Sequence, residues 1–136
     1  VDWAIDDALA ELAAALGTWA PRRDREALWA ELLAGEARLR AALERDPGLR
    51  VLAAAARAPR SDGADRPEPA AWLRAAFADA VELGLVEPSP GRAVLERLTL
   101  AAVAALDELE LAEPGSVPPG ALRTVLERLW SGTPAR

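Results

Sequence analysis

The chain has 136 residues and sets 16 arginines against 22 acidic side chains, a net charge of −6; it contains no His, Cys, Met, Tyr, Lys, Asn or Gln. That inventory excludes disulfides, thiolate or imidazole metal sites and Lys-based phosphate loops, and an acidic body disfavours general binding to nucleic acid or anionic membranes. Ala (33 residues) and Leu (22) far outnumber Val, Ile and Thr together (13), and the former lose little side-chain freedom in a helix.

A chain of this length fits one domain and buries roughly two-thirds of its unfolded surface. The expected fold is all-α, a single-domain bundle of about five to seven helices with mostly antiparallel neighbours. An all-Arg cation set and a vocabulary rich in Ala, Gly and Pro point to a GC-rich, bacterial genome. With Val at position 1, the chain is expected to be a processed product or an excised part of a longer protein. Its longest apolar run, Leu100 to Leu106, is far too short to span a bilayer, so a cytoplasmic location is expected.

A first helix is predicted from a cap at Asp2, with Ile5, Leu9, Leu12 and Leu16 at helical spacing and a stop at Gly17. Asp2, Asp6 and Asp7 complement the positive end of its dipole. A metal site built from Asp6, Asp7 and Glu11 is the sharper alternative and lacks a partner motif. A second helix begins near Asp24 and runs to about Arg45, burying Leu28, Leu32, Leu39 and Leu43. Gly35 lies in the same stripe, where a glycine costs about 1 kcal/mol against alanine and implies a close neighbour or a break. The stretch "RDPG" ends this helix, and a third follows from Leu49 to Ala58.

Positions 58–69, "APRSDGADRPEP", lack periodicity and read as an exposed linker, where a subdomain boundary would fall. A fourth helix, about Ala70 to Leu83, buries Leu73, Phe77, Ala80 and Val81. The fifth runs from Ser89 or Pro90 to about Leu111, with Val94, Leu95, Leu98, Ala102, Ala105, Leu106 and Leu109 assigned to one wide buried stripe. The sixth runs from Pro119 to Trp130 and buries Leu122, Val125, Leu126 and Leu129.

The pentapeptide VLERL occurs at 94–98 and again at 125–129, each time after a Pro-Gly pair. Proline suits a helix start because its missing N–H is not needed there. A third Pro-Gly, Pro47-Gly48, begins at a different interval, so no fixed repeat period exists. The pattern reads as one helix-start recipe used twice.

General acid-base work draws on His, Lys, Tyr, Cys or a perturbed carboxylate, and only the last remains. No catalytic, cofactor-binding or metal-ligating residue is assigned, and the chain is not expected to be an enzyme. Between Arg38 and Arg60 six arginines face two acids, a local balance of +4. Such forks suit an acidic protein partner, although Glu36, Arg40 and Glu44 form i, i+4 pairs that could absorb the charge internally. Of the five tryptophans, Trp29 and Trp72 lie beside core positions, whereas Trp3, Trp19 and Trp130 sit at helix ends or in a linker, where partial exposure is expected.

These readings converge on a non-enzymatic helical protein-protein interaction domain, an adaptor or assembly module of a larger protein or complex, with no cofactor, no nucleic acid and no membrane as partner. Self-association is compatible with it. Its candidate interaction residues are Trp19, Arg22, Arg23, Arg25, Arg38, Arg50, Arg57 and Trp130. A small-molecule-sensing domain with a Trp-lined interhelical pocket is the alternative.

Overall fold

The computed structural model describes residues 2–55, 69–89 and 91–131, with side-chain detail at all of these except 2, 53–55 and 69. Six helices occupy them: α1 (Asp2–Leu16), α2 (Arg25–Arg45), α3 (Pro47–Ala55), α4 (Pro69–Glu82), α5 (Arg92–Ala112) and α6 (Ala121–Ser131). The bundle is all-α, with no strand among the described residues. The cap expected of Asp2 and most of the 58–69 linker lie outside the described set.

Local chemistry accounts for the helix boundaries. Asp24, in extended conformation, accepts the Ala27 N–H at 2.9 Å and so caps α2. Asp46 both ends α2 and caps α3, accepting the N–H groups of Gly48 (3.0 Å) and Leu49 (3.2 Å). The third helix therefore starts two residues earlier than the sequence suggests, with Pro47 in its first turn, where proline is tolerated. The two VLERL helices differ from that scheme. Each begins after the glycine of its Pro-Gly pair, and Gly91, the N-cap of α5, has φ 133°, a conformation that a side chain would strain.

Helix α2 is the hub and packs against α1, α3, α4 and α6. Its C-terminal half runs antiparallel to α1: Arg38 reaches the last carbonyls of α1, whereas Ala42 packs with Leu12 and Ala8 farther back along it. Helices α5 and α6 are likewise antiparallel. The loop between them is held by Glu110, which accepts the N–H groups of Gly115 (2.7 Å) and Val117 (3.3 Å), and the far end of α6 meets α5 at Thr99.

The main core joins Leu16, Trp19, Leu28, Trp29, Leu32, Leu73, Phe77, Leu95, Leu126 and Trp130. Aromatic rings fill much of it: Trp29 stacks on Trp130 with centroids 5.2 Å apart, Phe77 meets the same indole edge-on at 6.2 Å, and Trp19 meets Trp72 edge-on at 5.2 Å. Gly35 marks a close approach and not a break, since a Cβ there would overlap the six-membered ring of Trp72. Trp19 and Trp130 are therefore core residues, which corrects the exposure expected of them; Trp130 is only 1% exposed. Trp3 is 72% exposed, in line with expectation.

Candidate functional site: the outer face of α5

Helix α5 is the element whose apolar residues exceed what the core uses. Its inner face buries Leu95 and Thr99, with Val103 and Leu106 packed behind them. The outer face carries Val94 (47% exposed), Leu98 (44%) and Leu109 (56%), together with exposed Ala101, Ala105 and Ala112. These six positions follow one another at spacings of four, three, four, four and three, so they form one continuous stripe. From Val94 to Ala112 the stripe is about 27 Å long at 1.5 Å per residue. The sequence reading placed Val94, Leu98, Ala105 and Leu109 in the core. The structure corrects this: it keeps Leu95 and Leu106 of that reading on the core side, adds Thr99, and turns these four outward.

That rotation also separates the two VLERL copies. In α6, Val125 and Leu129 are half-buried beside buried Leu126, whereas in α5 the equivalent Val94 and Leu98 face outward. Identical letters acquire different environments because α6 is packed on both α2 and α5, while the outer face of α5 meets none of the described helices.

Both cations of α5, Arg92 and Arg97, lie in its N-terminal third and are exposed, with Glu96 between them; Asp107, Glu108 and Glu110 lie in the last two turns, and exposed Glu113 is the C-cap. In the first and last turns, where the helix dipole acts, Arg92 and Glu110 each oppose it by about 0.3–1 kcal/mol. Glu110 is compensated by its two backbone N–H bonds. Those bonds, led by that from Gly115, hold its carboxyl below the ordinary glutamate value. Arg92, Arg97, Glu108 and Glu113 have no such side-chain partner among the described residues.

The arginines singled out in the sequence are placed differently from one another. Trp19, Arg22 and Arg38 converge. The Trp19 indole donates to Asp79 Oδ2 (3.1 Å), as does the Arg22 N–H (2.8 Å); the Arg22 guanidinium lies 5.7 Å from the Trp19 ring and 3.6 Å from Glu31. Arg38 bonds the same Glu31 (2.9 Å) and the carbonyls of Ala15 (3.0 Å) and Leu16 (2.6 Å), satisfying the C-terminus of α1. These are internal structural pairings. Arg23 and Arg25 are exposed, and Arg57 lies outside the described residues.

Arg50 sits apart from that group, in a cleft of about 30 Å³ between α2, α3 and α5, with Glu36, Arg40, Glu44, Asp107 and Glu110 around it. Space of that size holds about one water. Burial raises the Glu36 carboxyl above its ordinary value against the opposing pull of Arg40, which pairs with it at 3.8 Å. Among the described residues no group of three or more acids is arranged to hold a metal ion, and no helix is long and apolar enough to cross a membrane.

No protein-family model, curated protein or solved structure matches the chain.

Proposed function

We propose that the chain is a non-enzymatic protein-protein interaction module that docks a partner helix on the outer face of α5. The observation that carries this reading is the continuous apolar stripe Val94-Leu98-Ala101-Ala105-Leu109-Ala112, exposed on an otherwise charged surface. Contiguous exposed apolar surface with a polar rim is the usual mark of an interaction site. The fitting partner is an amphipathic helix laid into this strip, with apolar anchors at helical spacing. Its charges run opposite to those flanking the stripe, an acid beside Arg97 and a cation beside Glu108. Trp19, Arg22, Arg38 and Trp130 serve this function from within, by fixing the scaffold that presents α5.

A photo-crosslinking side chain placed at Leu98 or Leu109 of the full chain, in cells that express it, tests the proposal. Protein adducts are expected from both positions and not from a control at exposed Arg23. Absence of protein adducts from the α5 positions overturns the reading.

A further inference from the structure

Resting on the reading of α5 as a docking surface, we infer that its occupant is a second copy of this chain, paired α5 to α5, antiparallel about a two-fold axis. Two features of the helix meet at one point. Arg97 and Glu108 are exposed, 11 residues and so about three turns apart, and lie on the same flank of the apolar stripe. In an antiparallel two-fold pair, residues on the same flank of the two helices face each other, so each Arg97 meets the Glu108 of the other copy. The axis of that pairing passes midway between them, at positions 102 and 103.

The second feature is steric. On the outer face, the residues that bracket this midpoint are the small Ala101 and Ala105, with the larger Leu98 and Leu109 beyond them on either side. Small residues at the crossing and large ones outward let two helices approach to the 8–10 Å of ordinary helix packing. Arg92 lies round on the core-facing side of α5 and Glu113 beyond its last helical residue, so Arg97 and Glu108 carry the charge pairing. A parallel pair would set Arg97 beside Arg97 and Glu108 beside Glu108.

Self-pairing also supplies partners: Arg97 and Glu108 have no opposite charge bonded to them among the described residues, and each gains one when a second α5 arrives. The strip is one helix face about 27 Å long and about 10 Å wide, on the order of 270 Å², well below the roughly 800 Å² per partner of a standard interface. The dimer is accordingly a weak, reversible one.

Sedimentation equilibrium of the full chain, from about 1 μM to about 1 mM, tests the inference. The expected result is a reversible monomer-dimer equilibrium, with dimerisation weakened roughly tenfold or more in R97E and in E108R. Affinity returns in the R97E/E108R double variant. An equimolar mixture of the two single variants forms the heterodimer, because each like-charged copy then meets its opposite. Both positions are exposed and their side chains unbonded among the described residues, so the variants are expected to remain folded, as circular dichroism checks. A wild-type chain that stays monomeric at the highest concentration overturns the inference, as does a dimer indifferent to the charge reversals. If the chain is monomeric while crosslinks from Leu98 reach a different protein, self-pairing falls and the docking surface stands. If it is monomeric and gives no crosslinks, both fall.

Discussion

The indole N–H of Trp130 donates to the hydroxyl of Thr99 at 2.9 Å, and the same hydroxyl donates to the Leu95 carbonyl at 2.7 Å. Thr99 and Trp130 are the residues that follow the two VLERL copies, so the paired pentapeptides end on a side-chain hydrogen bond that joins α5 to α6 inside the core. Thr99 is fully buried, and both its donor and acceptor capacities are used. Through Trp130 the contact extends to Trp29 and Phe77, so α5 is oriented by a polar bond set in an aromatic cluster.

Replacing Thr99 by Val keeps the shape and strands the indole N–H. A loss of about 1–3 kcal/mol is expected from a buried donor left without a partner. Urea unfolding of T99V beside T99S measures it, with T99S retaining most of the stability; equal midpoints for T99V and wild type would refute the role given to this bond.

Gly35→Ala sets two effects of opposite sign against each other. Helix propensity alone favours alanine by about 1 kcal/mol. Overlap of the new methyl with the Trp72 ring opposes it, at the 1–3 kcal/mol typical of overpacking. Net destabilisation is expected, and it should shrink in the background of Trp72→Leu, a coupling that a double-mutant cycle reads directly.

Arg38→Ala removes bonds to two carbonyls at the end of α1 and to Glu31. Because the side chain is partly solvated, the expected cost is modest, about 1–2 kcal/mol. Arg25→Ala, at an exposed position whose side chain has no pairing among the described residues, should stay within about 0.5 kcal/mol of wild type. Thermal melts that place the two variants together would show that the α1 cap adds nothing.

The two perturbed glutamates predict opposite pH trends. Burial raises Glu36, so its protonated form favours folding below the ordinary glutamate range, and that contribution is lost as pH rises through the raised value. The backbone bond from Gly115 lowers Glu110, whose stabilising contribution is present above the ordinary range and is lost as pH falls through the lowered value. Relative to wild type, Glu36→Gln should therefore gain melting temperature between about pH 3 and pH 7, and Glu110→Gln should lose it. Parallel pH profiles for the two variants would contradict these assignments.

The sequence by itself determined the helical class, the number of helices to within the expected range and most of their boundaries. Leu28, Leu32, Leu73, Phe77, Leu122 and Leu126 were legible as core residues because α2, α4 and α6 each have a period that singles out their buried positions. Tertiary structure alone decided three things. Which stripe of α5 faces inward is one: apolar residues surround much of that helix, so two neighbouring stripes satisfy the same period, and the choice falls to contacts across the fold, the packing of Leu95 in the core and the bond between Thr99 and Trp130. The burial of Trp19 and Trp130 is another, since a tryptophan at a helix end is inside or outside according to which ring or carboxylate waits across the fold, here Asp79 and Trp72 for the first and Trp29 for the second. The third is the role of the arginines. Local spacing pairs Arg40 with Glu36, but Arg38 finds its carbonyls 22 and 23 residues away, a separation that no local pattern records.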